Sequence, residues 1–202
     1  MARFEDRISA AGELLSRIKN YAGTNAVVVG LPRGGMITAA FLAEKSKLPL
    51  DFIVVKKVGA PENEEYAIGA VTENGGKYSD ERFTRVQKEA DGRSSLYRSN
   101  YPAYDLKDKT VILADDGIAT GTTMLAAIGT ARKRGAKKIV VAVPVGSSEA
   151  IEKIKKSADG LICVEVDPDL SAVGEYYDSF PQVDDEQVLA ILKNAKNNSF
   201  NK

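Results

Sequence analysis

The 202-residue chain has 28 basic and 28 acidic residues, is 44% hydrophobic, and contains one cysteine, Cys163, and no histidine. The neutral balance gives no bulk field for nucleic acid or a membrane surface, and no apolar run reaches the length of a membrane span. Without histidine, histidine triads and histidine-ligated zinc are excluded, and proton transfer falls to carboxylates, lysine, tyrosine, water or a substrate. One domain with a substantial core is expected. The charged start Met1 to Arg7 is unlike a signal peptide, so a cytoplasmic location is expected, and a lone cysteine implies no internal disulfide.

From Phe4 to Tyr21, apolar Phe4, Ile8, Ala11, Leu14, Leu15 and Ile18 recur at helical spacing, predicting a helix packed on a sheet with no chemical role. Gly23-Thr24-Asn25 breaks it, and Ala26 to Val29 reads as a first buried strand. That strand runs into Gly30-Leu31-Pro32-Arg33-Gly34-Gly35 and then a helix from Met36 to Glu44. Backbone amides and Arg33 could converge there on phosphate oxygens; a turn using glycine for geometry alone is the plainer alternative.

Asp51 to Val55 predicts the next strand, ending in Lys56-Lys57, which suits either a polyanion or a solvated basic strand end. Ala67 to Thr72 followed by Glu73 to Tyr78 predicts a hairpin. Ser79 to Asn100 is a charged helical stretch expected to be largely solvated.

Val111 to Ala114 is a further buried strand, followed by Asp115-Asp116, the loop Gly117-Ile118-Ala119-Thr120-Gly121-Thr122-Thr123, and a helix from Met124 to Arg132. Glycine lets the backbone approach an anion closely, and a helix N-terminus aims unpaired N–H groups and a positive dipole end at it. The three threonines add hydroxyl donors. The two acids can accept hydrogen bonds from sugar hydroxyls or sit near a cation; they could also simply cap the helix. A sugar phosphate uses both halves of such a motif.

Strands at Lys138 to Val143 and Leu161 to Val166 flank a helix from Ser148 to Ser157, and a short helix from Asp184 to Leu192 closes the chain. Alternating strands and helices predict an α/β fold with a mostly parallel, doubly wound sheet and ligands at the carboxyl ends of its strands.

Strand, paired acids and the Asp115 to Thr123 loop resemble the signature for 5-phosphoribosyl-1-diphosphate (PRPP) in type I phosphoribosyltransferases. Taken with Leu31 to Gly35, Val54 to Val71 and Val173 to Phe180, the chain is most similar to a little-characterised group of stand-alone phosphoribosyltransferases. The resemblance implies one domain over 1–202, with a core of about 24–166 and a hood from about 59–104 and 167–202. It implies transfer of ribose 5-phosphate from PRPP, with Mg2+, to a nitrogen acceptor such as a nucleobase, releasing pyrophosphate. The alternative is a non-catalytic PRPP- or nucleotide-binding regulator on the same fold.

By the same resemblance, Leu31, Pro32, Arg33, Gly34 and Gly35 bind the pyrophosphate, beside a strained or cis non-proline peptide. Gly117, Ile118, Ala119, Thr120, Gly121, Thr122 and Thr123 bind the 5-phosphate. Arg33, Lys56, Lys57, Asp115 and Asp116 form the catalytic set, with the two aspartates near the metal through PRPP or water. Val173, Tyr177 and Asp178 are the expected acceptor contacts, and Arg98 the first candidate to descend from a closing hood. Ala119, Ser171 and Pro144-Val145-Gly146 depart from the 6-oxopurine pattern and leave the acceptor open. A homodimer binding small molecules, neither nucleic acid nor membrane, is expected.

Overall fold

A computed structural model describes residues 3–62, 67–75 and 79–200. Its elements run α1 Arg7–Ile18, β1 Ala26–Gly30, α2 Gly35–Ser46, β2 Leu50–Phe52, β3 Val55–Gly59, β4 Ala67–Thr72 and α3 Glu81–Arg98. They continue as β5 Thr110–Ala114, α4 Thr122–Lys133, β6 Lys138–Ser147, α5 Ser148–Lys155, β7 Gly160–Asp167 and α6 Asp185–Phe200. Five strands form one parallel sheet in the order β2-β1-β5-β6-β7, and β3 pairs antiparallel with β4.

The sheet forms where it does because β1 and β5 are short, β-branched or apolar runs that only a sheet covered on both faces can bury. Val28, Phe52, Ile112 and Ala142 face Leu14 of α1 and Met36 and Leu42 of α2. Val27, Val29, Leu113 and Val141 face Met124, Ala127 and Ile128 of α4 and Ile154 of α5. No helix among the described residues is long and apolar enough to cross a membrane.

The strand order places β1 and β5 side by side, although β1 is also flanked by β2 on its other edge. The winding therefore reverses between β1 and β5, and in open parallel sheets a crevice opens at such a reversal, outside the strands' carboxyl ends. The register Gly30↔Ala114 brings both strands to that rim level with one another.

Several expected boundaries move. The run from Asp51 to Val55 is two strands: Ile53 N donates to Gly30 O at 3.1 Å, while Val54 N turns to the carboxylate of Glu73. The chain leaves the parallel sheet at that point. Lys56 and Lys57 consequently sit inside β3, rather than at the end of a sheet strand. β4 pairs antiparallel with β3, the strand before it; Gly76 to Tyr78 of the expected hairpin lie outside the described residues.

β6 runs through Pro144 to Ser147 where the sequence predicted a stop at Val143. A proline lacks the N–H a ladder needs. Here the β5 ladder has already ended at Ala114↔Ala142, so Pro144 interrupts no bond to that strand. The last helix extends to Phe200, well past the expected Leu192.

The helix α3 is not simply a solvated rod, because Val86, Ala90 and Tyr97 are buried along one face. Its final residue, Arg98, closes the exposed edge of the sheet. The guanidinium donates to Asp51 Oδ1 at 2.5 Å and Phe52 O at 2.9 Å, and lies 3.6 Å from the Phe52 ring centroid. Arg134, at the end of α4, donates to Asp51 Oδ2 at 2.7 Å. Arg98 is thus committed to a fully buried carboxylate in this structure, and is not poised above the rim as the hood reading had it.

Candidate functional site

Two loops leave the sheet at the β1/β5 crevice. The first, 31–34, follows β1; its Leu31 N still donates to Ala114 O at 3.3 Å, so it starts against β5. The peptide between Pro32 and Arg33 is cis, and Arg33 is partly exposed. Among the described residues, Arg33 enters no ion pair.

The second loop, 115–121, carries the aspartates and ends at Gly121, which has φ +80° and ψ −10° as the N-cap of α4. That left-handed conformation is open to glycine at little cost. No side chain caps α4, so its first-turn amides stay available to a ligand. Thr120 and Thr122 hydroxyls lie 3.3 Å apart beside it.

The loops touch. A methyl group at Gly34 would overlap Asp116 Oδ2, and one at Gly35 would overlap Asp115 Oδ1 and stand 3.0 Å from Asp115 Cα. Glycine is what permits this approach. Arg33's loop and the loop of Thr122 therefore share one rim, with the two carboxylates between them.

The far side of the second loop is pinned to β6. Ile118 N donates to Val145 O at 2.9 Å, Ser147 N to Ile118 O at 2.9 Å, and Ser147 Oγ to Ala119 O at 2.6 Å. The same Oγ accepts from Ala150 N at 3.1 Å, capping α5. Replacing Ser147 by alanine removes both bonds, and a loss of about 1–2 kcal/mol in denaturant unfolding is expected. A change under a few tenths of that would show that the pin is idle.

Burial drives the electrostatics of the acid pair. Asp115 is pushed well above the usual carboxylate range, first by desolvation and then by repulsion from Asp116. Asp116 is also raised by burial, against which Arg7 pulls it down. Asp115 Oδ1 accepts from Asp116 N at 2.9 Å, and ribose hydroxyls or a hydrated cation would bring further donors and positive charge to the pair.

Arg7 is the residue the sequence reading missed. It is the first residue of α1, fixed by a capping box in which Ser9 N donates to Asp6 Oδ1 at 2.7 Å and Asp6 N to Ser9 Oγ at 3.0 Å. Its Nε donates to Asp116 Oδ2 at 2.7 Å. The signal was present: Arg7, Ala11, Leu14 and Ile18 share one helical face, and that face is buried, whereas Ile8 is 44% exposed. A charge on the apolar stripe of a helix must have a partner.

The three expected acceptor residues have different surroundings. Tyr177 is buried, stacks on Phe180 at 4.8 Å between centroids, and donates its hydroxyl to Asp116 O at 2.5 Å. Val173 packs against Gly117, and Asp178 is exposed, with its amide bonded to Phe4 O at 2.9 Å. Lys56 is ion-paired with Glu89 of α3, while Lys57 is exposed. The structure therefore brings together Leu31 to Gly35, Asp115 to Thr123 and Tyr177, and holds Lys56 and Lys57 on the separate β3–β4 pair.

Comparison with known proteins gives this architecture a class. The family model described as the phosphoribosyl transferase domain matches residues 3–179. The chain belongs to that family, with the α/β fold of the type I phosphoribosyltransferases. A Mycobacterium tuberculosis (strain H37Rv) protein provisionally named a phosphoribosyl transferase is 34% identical, over 96% of this chain and 47% of its own length. The chain thus spans about half the length of the curated relatives it matches. The crystal structure of TT1426 from Thermus thermophilus is 38% identical with a TM-score of 0.83, covering 95% of this chain and 98% of that one. A purine phosphoribosyltransferase from Pyrococcus horikoshii shares the fold at 22% identity and a TM-score of 0.50, over 88% and 93% of the two chains.

Proposed function

We propose that the chain is a phosphoribosyltransferase that takes PRPP with Mg2+ and transfers ribose 5-phosphate to a nitrogen nucleophile such as a nucleobase, releasing pyrophosphate. The observation that carries this reading is the contact of the two loops across Asp115 and Asp116 at the β1/β5 crevice. A ligand with phosphate at one end, a diol in the middle and diphosphate at the other matches that order of groups.

In this reading the α4 amides and the hydroxyls of Thr120, Thr122 and Thr123 hold the 5-phosphate. Asp115 and Asp116 accept hydrogen bonds from the ribose hydroxyls, and Arg33 with the 31–35 amides holds the diphosphate. Fixing both ends restrains C1 between them, which removes much of the entropic barrier to attack. Lys57 is the better candidate of the two lysines to approach the leaving group, because Lys56 is already paired with Glu89.

The donor set fits an indirectly held Mg2+. Among the described residues no group of three or more carboxylate, histidine or cysteine side chains could cage a metal, and one Asp116 oxygen is taken by Arg7. Mg2+ favours one or two carboxylates plus substrate phosphates and water, so Asp115 and Asp116 would meet it through PRPP or water. Bound there, it would offset negative charge on the departing diphosphate.

A second reading, a PRPP-binding regulator without turnover, is favoured by one observation: Tyr177, expected at the acceptor, has its ring stacked on Phe180 and its hydroxyl bonded to Asp116 O. Mixing protein, PRPP, Mg2+ and a panel of nucleobases separates the two. Pyrophosphate release with one base is expected for the enzyme. PRPP binding that changes oligomeric state, with no release across the panel, would support the regulator.

A further inference from the structure

We propose that Arg7 and Tyr177 are positioning residues that together hold Asp116, at its carboxylate and its carbonyl respectively, in the orientation needed to grip the ribose. This deepens the proposed function and rests on it. Neither residue belongs to the two phosphate loops. Arg7 comes from the first helix and Tyr177 from the segment after β7, so the two ends of the family-matched region set the geometry of a carboxylate in its middle.

The arrangement is built rather than incidental. Arg7 is 5% exposed and uses its donors in different directions: Nε to Asp116 Oδ2 at 2.7 Å and Nη1 to Pro181 O at 2.9 Å. Its guanidinium lies 3.6 Å from the Phe180 ring centroid, which fixes the plane of the group. Nη2 stands 3.2 Å from where a Gly34 Cβ would be, so the same side chain abuts the first loop. The Tyr177 hydroxyl holds Asp116 O at 2.5 Å, and its ring lies between Phe4, at 5.5 Å, and Phe180, at 4.8 Å. Backbone bonds from Asp178 N to Phe4 O and from Ser179 N to Glu5 O, both 2.9 Å, tie the two ends together.

A guanidinium does this where a lysine cannot do it fully, because only a planar fork meets a carboxylate, a carbonyl and an aromatic face at once. With Arg7 in place, Asp116 Oδ2 is held and the plane of the carboxylate beside Asp115 is set.

The test compares three ligands, PRPP with Mg2+, ribose 5-phosphate and inorganic pyrophosphate, by calorimetry on the wild type and on Arg7→Gln, Arg7→Lys and Tyr177→Phe. For Arg7→Gln, PRPP and ribose 5-phosphate are expected to weaken by about tenfold or more, with pyrophosphate affinity within about twofold of wild type. Arg7→Lys should recover part of the loss. Tyr177→Phe, which keeps the ring, should show the same selectivity at several-fold. In a folded Arg7→Gln protein, an equal loss in all three affinities overturns the positioning role. So does an Arg7→Gln protein that binds PRPP like the wild type. If Arg7→Gln does not fold, Tyr177→Phe decides alone: selective weakening upholds the proposal, and unchanged or uniform weakening overturns it. A wild type that binds none of the three ligands removes the underlying reading as well, which the variants by themselves cannot do.

Discussion

Asp51→Ala is expected to cost about 3–5 kcal/mol of folding stability. Asp51 has no exposed surface and its two oxygens are divided between Arg98 at 2.5 Å and Arg134 at 2.7 Å. Glu73, 3.5 Å from Arg98, is the other carboxylate nearby, and it is itself bound to Val54 N. Removing Asp51 leaves two guanidiniums facing one acid at the edge strand β2. Both arginines retain some water, at 18% and 23% side-chain exposure, which argues for the lower end of that range.

The same cluster joins the ends of α3 and α4 to β2, so its loss uncovers a sheet edge as well as two charges. For a chain of this size the thermal midpoint should fall by roughly 6–20 °C. Denaturant unfolding checks the free energy directly. A loss below about 1 kcal/mol would show that the arginines find equivalent partners and that the cluster is not what holds the edge.

The second large effect is expected at Gly35. A methyl group there overlaps Asp115 Oδ1, and 3.0 Å away is the Asp115 Cα, backbone that cannot rotate aside. Gly35→Ala must therefore push the two loops apart. Overpacking of this kind costs about 1–3 kcal/mol in stability, but the larger consequence is functional. A displacement of about 1 Å between groups that hold opposite ends of a substrate can lower turnover about 100-fold. Pyrophosphate release by Gly35→Ala, measured beside PRPP affinity, is the check. Gly129→Ala serves as its contrast: nothing lies within 4 Å of a Cβ at Gly129 on α4, so a gain of about 0.5–1 kcal/mol and unchanged PRPP affinity are expected. Equal behaviour of the two variants would mean that loop contact at Gly35 does not matter.

These residues also show what the sequence could and could not reveal. The parallel sheet was legible because Ala26 to Val29 and Val111 to Ala114 are unbroken apolar runs, each followed by glycine or acid, a pattern typical of strands buried on both faces. The two loops were legible because glycine clusters directly after such strands mark the turns into α2 and α4. Long-range partnership was not legible. Nothing local to Lys56 predicts that the chain leaves the sheet at Val54, since the switch depends on Glu73, 19 residues on. Arg98 reads as one charge among many on a polar helix until Asp51 is set beside it. Arg7 and Asp51 share a different lesson. Each is a charge in a stretch that periodicity assigns to the core, so each announced a buried partner without naming it.

The acceptor stayed obscure for a related reason. Tyr177 was read as a contact for a ligand, whereas its hydroxyl and ring are both satisfied within the protein, by Asp116 O and by Phe4 and Phe180. A tyrosine beside a candidate site serves equally well as a buttress, and spacing does not distinguish the two.

The central claim is that two loops hold opposite ends of one ligand. Calorimetric titration of the wild type with PRPP, ribose 5-phosphate and pyrophosphate, each with Mg2+, tests it directly. Joining the two halves in one molecule makes the second contact intramolecular, so PRPP is predicted to bind at least about 100-fold more tightly than either half. If a half-ligand binds as tightly as PRPP, the loops do not act on one molecule, and the account of this site is wrong.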